Sequence, residues 1–153
     1  MPEGKVAPRG YSAPVTRRFS HRLRVRYSEC DPQNVVFNSH YVAWFDVLMT
    51  ELWREVPGGY AGMMETGTDM VVAEVGVRYL GAAHFDDEVD LQASVSRLGN
   101  TGMTTHIEVL RDGEVLAEGE LRHVFIDLAT KDKKPIPDEV RQALEPYLEA
   151  APA

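Results

Sequence analysis

The run SHYVAWFDVLMTELWREV, residues 39–56, constrains the fold more than any other part of the chain. Tyr41, Phe45, Leu48, Leu52 and Val56 recur at helical spacing, and Val42, Met49 and Trp53 flank them. Trp44 and Val47 fill a further side, so only Asp46, Thr50, Glu51, Arg54 and Glu55 interrupt the apolar circumference. A helix apolar on most of its sides has to be buried. This one is too short and too charged to cross a membrane, which takes about 20 apolar residues. Something else in the chain must therefore wrap around it.

The remaining sequence supplies strands. FSHRLRVRYS (19–28) alternates, with Phe19, His21, Leu23, Val25 and Tyr27 on one face and Ser20, Arg22, Arg24, Arg26 and Ser28 on the other. After PGGYAG ends the helix, DMVVAEVGVRYL places Val71, Ala73, Val75, Val77 and Tyr79 on one face. EVDLQASVSRL alternates through Val89, Leu91, Ala93 and Val95, and GMTTHIEVL through Met103, Thr105, Ile107 and Val109. Asp112-Gly113 signals a hairpin into EVLAEGELRHVFID. The polar loop LATKDKKPIP leads to a short helix that starts at Pro137 and stops or kinks at Pro146. No helices separate the later strands, so the sheet is expected to be largely antiparallel. The expected class is α+β: a curved sheet of about five strands around one long central helix, with a short C-terminal helix. Residues 1–14, with three prolines and two glycines, read as a flexible tail, and 15–150 as a single domain.

Charge and cysteine content narrow the function. A net charge of -8 and a pI of about 5.1 argue against a general nucleic-acid binder, which needs clustered Lys and Arg. A local basic patch for an anionic small ligand stays open, and Arg97, Arg111, Arg122 and the Lys131–Lys134 loop are the cations near strand ends. Cys30 is the only cysteine, so no intrachain disulfide forms and a reducing cytoplasm is the expected setting. The first residues carry no apolar signal-peptide core.

Between the first strand and the long helix stands ECDPQNVVFNSHY, residues 29–41. Asp31 before Pro32 is a turn-initiating pair, or a carboxylate placed for chemistry. Asn38 is placed to cap the helix or to hydrogen-bond a substrate carbonyl. Tyr27 reads as core at the end of its strand, and Glu29 as an orienting or solvated acid. Glu51 is a rival carboxylate on what reads as the wet side of the helix. Cys30 is a poor nucleophile beside Asp31, since a neighbouring carboxylate raises a thiol pKa. The histidines at 21, 40, 84, 106 and 123 lack metal-ligand spacing, and no G-x-S-x-G, Walker or Rossmann motif is present.

This stretch and the order of elements resemble the hotdog-fold acyl-CoA thioesterases, in particular the 4-hydroxybenzoyl-CoA thioesterase-like group. That group carries D-x-D-x-x-G-x-V-x-(N/H)-x-x-Y between first strand and long helix. Asp31 falls on its catalytic aspartate, and Val36, Asn38 and Tyr41 on its hydrophobic, Asn/His and Tyr positions. Glu29 stands where the first aspartate is common, and Asn34 replaces the glycine. Asn tolerates left-handed backbone angles, so the turn is expected to survive. The resemblance implies hydrolysis of an acyl-CoA thioester to acid and free thiol, with Asp31 as general base or nucleophile and Asn38 with helix-start amides polarising the carbonyl. It implies substrate contacts at Tyr27, Val36, Tyr41 and Arg97, no metal or other cofactor, and a homodimer or dimer of dimers. The competing expectations are a non-catalytic acyl-CoA-binding module and a thioesterase acting on carrier-protein-bound acyl groups.

Overall fold

The structure, a computed structural model, describes residues 17–150; the expected tail over 1–14 lies outside them. Strands β1 (Phe19–Arg24), β2 (Thr68–Tyr79), β3 (Glu88–Leu98), β4 (Gly102–Arg111) and β5 (Glu114–Asp127) form one antiparallel sheet in the order β1-β3-β4-β5-β2. Helix α1 (Ser39–Trp53) is the long apolar segment. Short helices α2 (Gly59–Glu65) and α3 (Asp138–Leu144) complete the set, and a 3-10 turn over Glu145–Tyr147 accommodates Pro146.

Period-two patterning predicts β3 and β4 correctly. Val89, Leu91, Ala93 and Val95, like Met103, Thr105, Ile107 and Val109, are all buried. Asp112 and Gly113 both take positive φ, 50° and 79°, the backbone a tight two-residue hairpin requires. Helix α1 buries Tyr41, Trp44, Phe45, Leu48, Met49, Leu52 and Trp53. It touches β3 and also β1 and β2, the two edges of the sheet. Edges of a flat five-stranded sheet lie roughly 19 Å apart at ~4.8 Å per strand. A helix only ~10–12 Å across reaches both because the sheet curls around it.

Three local expectations change. The first strand stops at Arg24, and Tyr27 enters a 3-10 turn (Tyr27–Glu29) that leaves it 80% exposed rather than in the core. PGGYAG ends α1 but also begins α2, through left-handed Gly58. In β2 the register shifts between Val72 and Glu74, so Val71 pairs with Val124 while Val75 and Val77 pair with Leu121 and Gly119. Antiparallel partners share a face, so the bulge puts Val71 on the opposite face from Val75, Val77 and Tyr79.

The helix is seated where the sheet has no side chain. A Cβ at Gly119 would lie 2.4 Å from the Gly76 carbonyl oxygen and 2.6 Å from the Phe45 ring. Gly119→Ala is therefore expected to lower the unfolding free energy by about 1–3 kcal/mol, the scale of overpacking in a tight core. Urea denaturation measures this; an unchanged midpoint would show that Phe45 does not rest on this glycine.

Candidate active site

The polar junction is built from the end of β1 inward. Val25 is buried and exchanges backbone hydrogen bonds with the 86–87 turn: its N–H donates to Asp87, and its carbonyl accepts from Asp86. The chain then makes the 3-10 turn, whose end is fixed by Glu29. One Glu29 oxygen accepts from the Arg26 backbone N–H at 2.7 Å, and the other from Trp44 Nε1 at 2.6 Å. Trp44 is buried on α1, so Glu29 ties the junction to the helix. Glu29 is thus an orienting acid. Tyr27 packs edge-to-face on Phe85 with ring centroids 5.8 Å apart.

Asp31 heads a small closed loop. Its N–H donates to Val35, and its carbonyl accepts from Asn34 N, both at 2.9 Å. Asn34 sits at φ 64°, the left-handed angle expected of a residue standing in for glycine. Asp31 Oδ1 accepts from Gln33 N at 2.8 Å, which fixes the carboxylate's direction. Among the described residues, the other carboxylate oxygen carries no hydrogen bond. Val36 N–H donates to Ala83 and Phe37 N–H to Glu29, both at 2.9 Å. Asp31, Pro32, Gln33, Val35, Val36, Phe37 and Asn38 line an open groove of about 560 Å³.

Asn38 stands at the N-cap of α1, yet its side chain makes no capping bond and is exposed. Its backbone carbonyl instead accepts from the Tyr79 hydroxyl at 2.8 Å. The capping half of the expectation fails because the Asn38 backbone is already helical, at φ -52° and ψ -38°, whereas a capping residue is typically extended. The first N–H groups of a helix lack internal partners. Among the described residues, neither Asn38 N nor Ser39 N donates to another backbone group. Tyr41 is buried against Trp44 and Tyr79, with ring centroids 4.9 and 5.3 Å away. Its hydroxyl accepts from Ala83 N at 3.3 Å, and burial raises its pKa. Tyr79, which no sequence motif singles out, belongs here because α1 crosses the end of β2.

The structure thus brings together Asp31, Val36, Asn38 and Tyr41, while Tyr27 packs on Phe85 and does not line the groove. Arg97 is not with them: it is exposed near the far end of β3, whose other end, Glu88, pairs with Arg24. Arg111 donates to Asp87 at 2.8 Å, and Arg122 lies 3.4 Å from Glu74. Glu51 pairs with Arg54 at 3.1 Å on the helix surface. Cys30 Sγ lies 3.8 Å from the Arg26 carbonyl. Among the described residues, one cluster has ligand-like spacing: His106, Glu108 and Glu118, on the sheet face away from α1, place ligating atoms within 4.8 Å of one another. Glu108 pairs with Arg18 and Glu118 with Arg78, so each carboxylate already has a cation. The Glu108 pKa is lowered by His106 and Arg18 against the effect of burial. The cluster is an ion-pair network rather than an open metal centre.

Known proteins share this chain's sequence pattern and its fold. The acyl-CoA thioester hydrolase YbgC of Escherichia coli O6:H1 is 25% identical over 126 residues, 82% of this chain and 94% of that protein. The fold matches the 1,4-dihydroxy-2-naphthoyl-CoA thioesterase from Synechocystis with a TM-score of 0.76 at 15% identity, covering 84% of this chain and 96% of that one. It matches the dynemicin thioesterase with a TM-score of 0.82 at 20% identity, covering 88% and 100%. A family model, the Thioesterase-like superfamily, spans residues 25–144, and the chain belongs to that superfamily.

Proposed function

We propose that the protein is an acyl-CoA thioesterase with Asp31 as its catalytic carboxylate. The observation that carries this is the pairing of a directed, half-committed carboxylate with uncommitted amides at the head of a buried helix. In the simplest mechanism Asp31 accepts a proton from water as its oxygen bonds to the thioester carbonyl carbon. The oxyanion that forms is stabilised by donors such as the Asn38 and Ser39 N–H groups and the Asn38 side chain. Collapse breaks the C–S bond, and the thiolate takes up the proton. A direct attack by Asp31 through an acyl anhydride uses the same groups. Val36 lines the groove, and Tyr41 supports it through Ala83. The one cysteine fits a cytoplasmic setting. Acyl-CoA is the proposed substrate, and a carrier-protein thioester is the variant that the same site accommodates.

A second copy completes the proposal. β1 and β2 are the sheet's edges, but they differ. β1 is short and its Arg22 and Arg24 are paired with Asp90 and Glu88, whereas β2 is twelve residues long and exposes Val71, Val72, Val75 and Tyr79. A long apolar edge strand is a template for pairing. Two β2 strands paired antiparallel about a two-fold axis put the Thr68 end of one beside the Tyr79 end of the other. The Thr68 end carries the 128–134 loop, joined to it through Leu128 and Lys134, and lies at the same end of the sheet as Arg97. Pairing therefore moves these cations toward the second copy's Asp31, which one chain alone does not achieve.

Asp31→Asn is expected to keep fold and assembly and lower kcat by at least ~100-fold in assays of thiol release from acyl-CoA. Activity within threefold of wild type would remove Asp31 from the mechanism, and binding without release would favour the acyl-CoA-binding module. Light scattering at micromolar concentration is expected to show at least a dimer of the 17.1 kDa chain. A monomer would contradict the β2 pairing. Charge gives the third test. The chain's -8 repels coenzyme A over long range, while local cations attract it at contact. Contact pairs win over a field screened beyond ~8 Å, so KM for acyl-CoA is expected to rise from low to moderate salt with kcat nearly constant. Acyl-pantetheine, which lacks the nucleotide phosphates, should respond far less; an equal response would show that these cations do not hold coenzyme A.

A further inference from the structure

The segment between β2 and β3, residues 80–87, carries the groups on which the Asp31 loop and the start of α1 are fastened. Ala83 is buried at its middle. The Ala83 carbonyl accepts from Val36 N–H at 2.9 Å, and the Ala83 N–H donates to the Tyr41 hydroxyl at 3.3 Å. Each of these groups belongs to a peptide unit whose opposite end is also engaged. The Ala82 carbonyl, in the same unit as the Ala83 N–H, accepts from Arg111 Nη1 at 3.0 Å. The His84 N–H, in the same unit as the Ala83 carbonyl, donates to Asp87 Oδ2 at 2.8 Å. That Asp87 oxygen also accepts from Arg111 Nη1, again at 2.8 Å, so one guanidinium nitrogen serves both units. His84 Nδ1 lies 3.2 Å from the same nitrogen. The Arg111 and Asp87 side chains are only 25% and 24% exposed. Burial alone would raise the Asp87 pKa, but the Arg111 guanidinium and the His84 N–H outweigh it and hold the carboxyl below its ordinary value.

A peptide unit is planar and trans, so its C=O and N–H point in opposite directions, and fixing one end aims the other. We propose that Arg111 is a positioning residue: with Asp87 it clamps the two peptide units around Ala83, so that their far ends face Val36 and Tyr41 and hold the Asp31 loop in direction. The proposal rests on the thioesterase reading with Asp31 as the carboxylate. The segment's backbone anchors lie toward its ends. Leu80 and Gly81 N–H donate to the Leu116 carbonyl, and Asp86 and Asp87 bond to Val25. Between those anchors, among the described residues, the side chains that bond to the backbone of 82–84 are Arg111, Asp87 and Tyr41. Loss of the guanidinium frees the Ala82 carbonyl and leaves a partly buried carboxylate without its cation, which shifts the turn. The same commitment takes Arg111 out of the cations available to coenzyme A.

Arg111→Leu is expected to lower kcat by ~10- to ~100-fold per folded enzyme, the scale of a reacting group displaced by about 1 Å, with KM for acyl-CoA changed by less than ~3-fold. The fall should be equal for acyl-CoA and acyl-pantetheine. A KM rise confined to acyl-CoA would make Arg111 a phosphate contact and overturn the proposal. A kcat within ~3-fold of wild type, with only the melting temperature lowered, would leave Arg111 a support of the fold and overturn it as well. In the Asp31→Asn background, Arg111→Leu should lower the residual kcat by less than ~3-fold, because both changes remove the action of one carboxylate; a full further loss counts against the proposal. Hydrogen exchange reads the same clamp without turnover. The Val36 amide is expected to exchange at least ~10-fold faster in Arg111→Leu, while the Leu91 and Ile107 amides change by less than ~3-fold. If Arg111→Leu does not fold, Arg111→Gln, which keeps much of the stem and removes the charge, replaces it in every arm. If the wild type hydrolyses no thioester, or Asp31→Asn keeps full activity, the thioesterase reading fails separately. Exchange at Val36 then decides the clamp, which falls if that amide is no less protected than in the wild type.

Discussion

The contact between Phe45 and the bare backbone at Gly119 sets the depth at which α1 lies in the sheet. There the sheet carries no side chain, and the aromatic ring rests on the strand itself. With the helix that deep, both edge strands reach it, and the sheet has to curl. At one rim β2 is long and apolar, while at the other β1 is short and carries ion pairs. The seat of that ring fixes how α1 lies across the sheet. It also aims the N-terminus of α1 at the Tyr79 end of β2, where the polar junction is assembled.

That junction is rigid for reasons spread over distant parts of the chain. Backbone bonds close the Asp31–Val35 loop, the Val36 bond to Ala83 fastens it to the segment before β3, and Glu29 ties it to Trp44. A carboxylate acting on a thioester must be held in direction as well as in place, because misplacement by about 1 Å can cost ~100-fold in rate. Removing Trp44 or Glu29 would therefore loosen Asp31 without touching it.

Strands buried on one face betray themselves by alternation, so β3, β4, β5 and the Asp112-Gly113 hairpin were legible from residues alone. Asn34 was legible too, because few other residues tolerate its backbone angle. Tyr27 was misread because alternation continues through Arg26 while the chain turns away after Arg24. The β2 bulge was hidden by its valines, which read as strand on either face. α2 was missed because Pro-Gly-Gly signals an end and says nothing of a new start through left-handed Gly58. At the site, the motif placed Asp31, Asn38 and Tyr41, since their spacing is local. Tyr79 and the Glu29–Trp44 bond depend on helix crossing strand, which no local pattern encodes. Arg97 is the converse: plausible in the sequence, yet exposed near the far end of β3, away from Asp31.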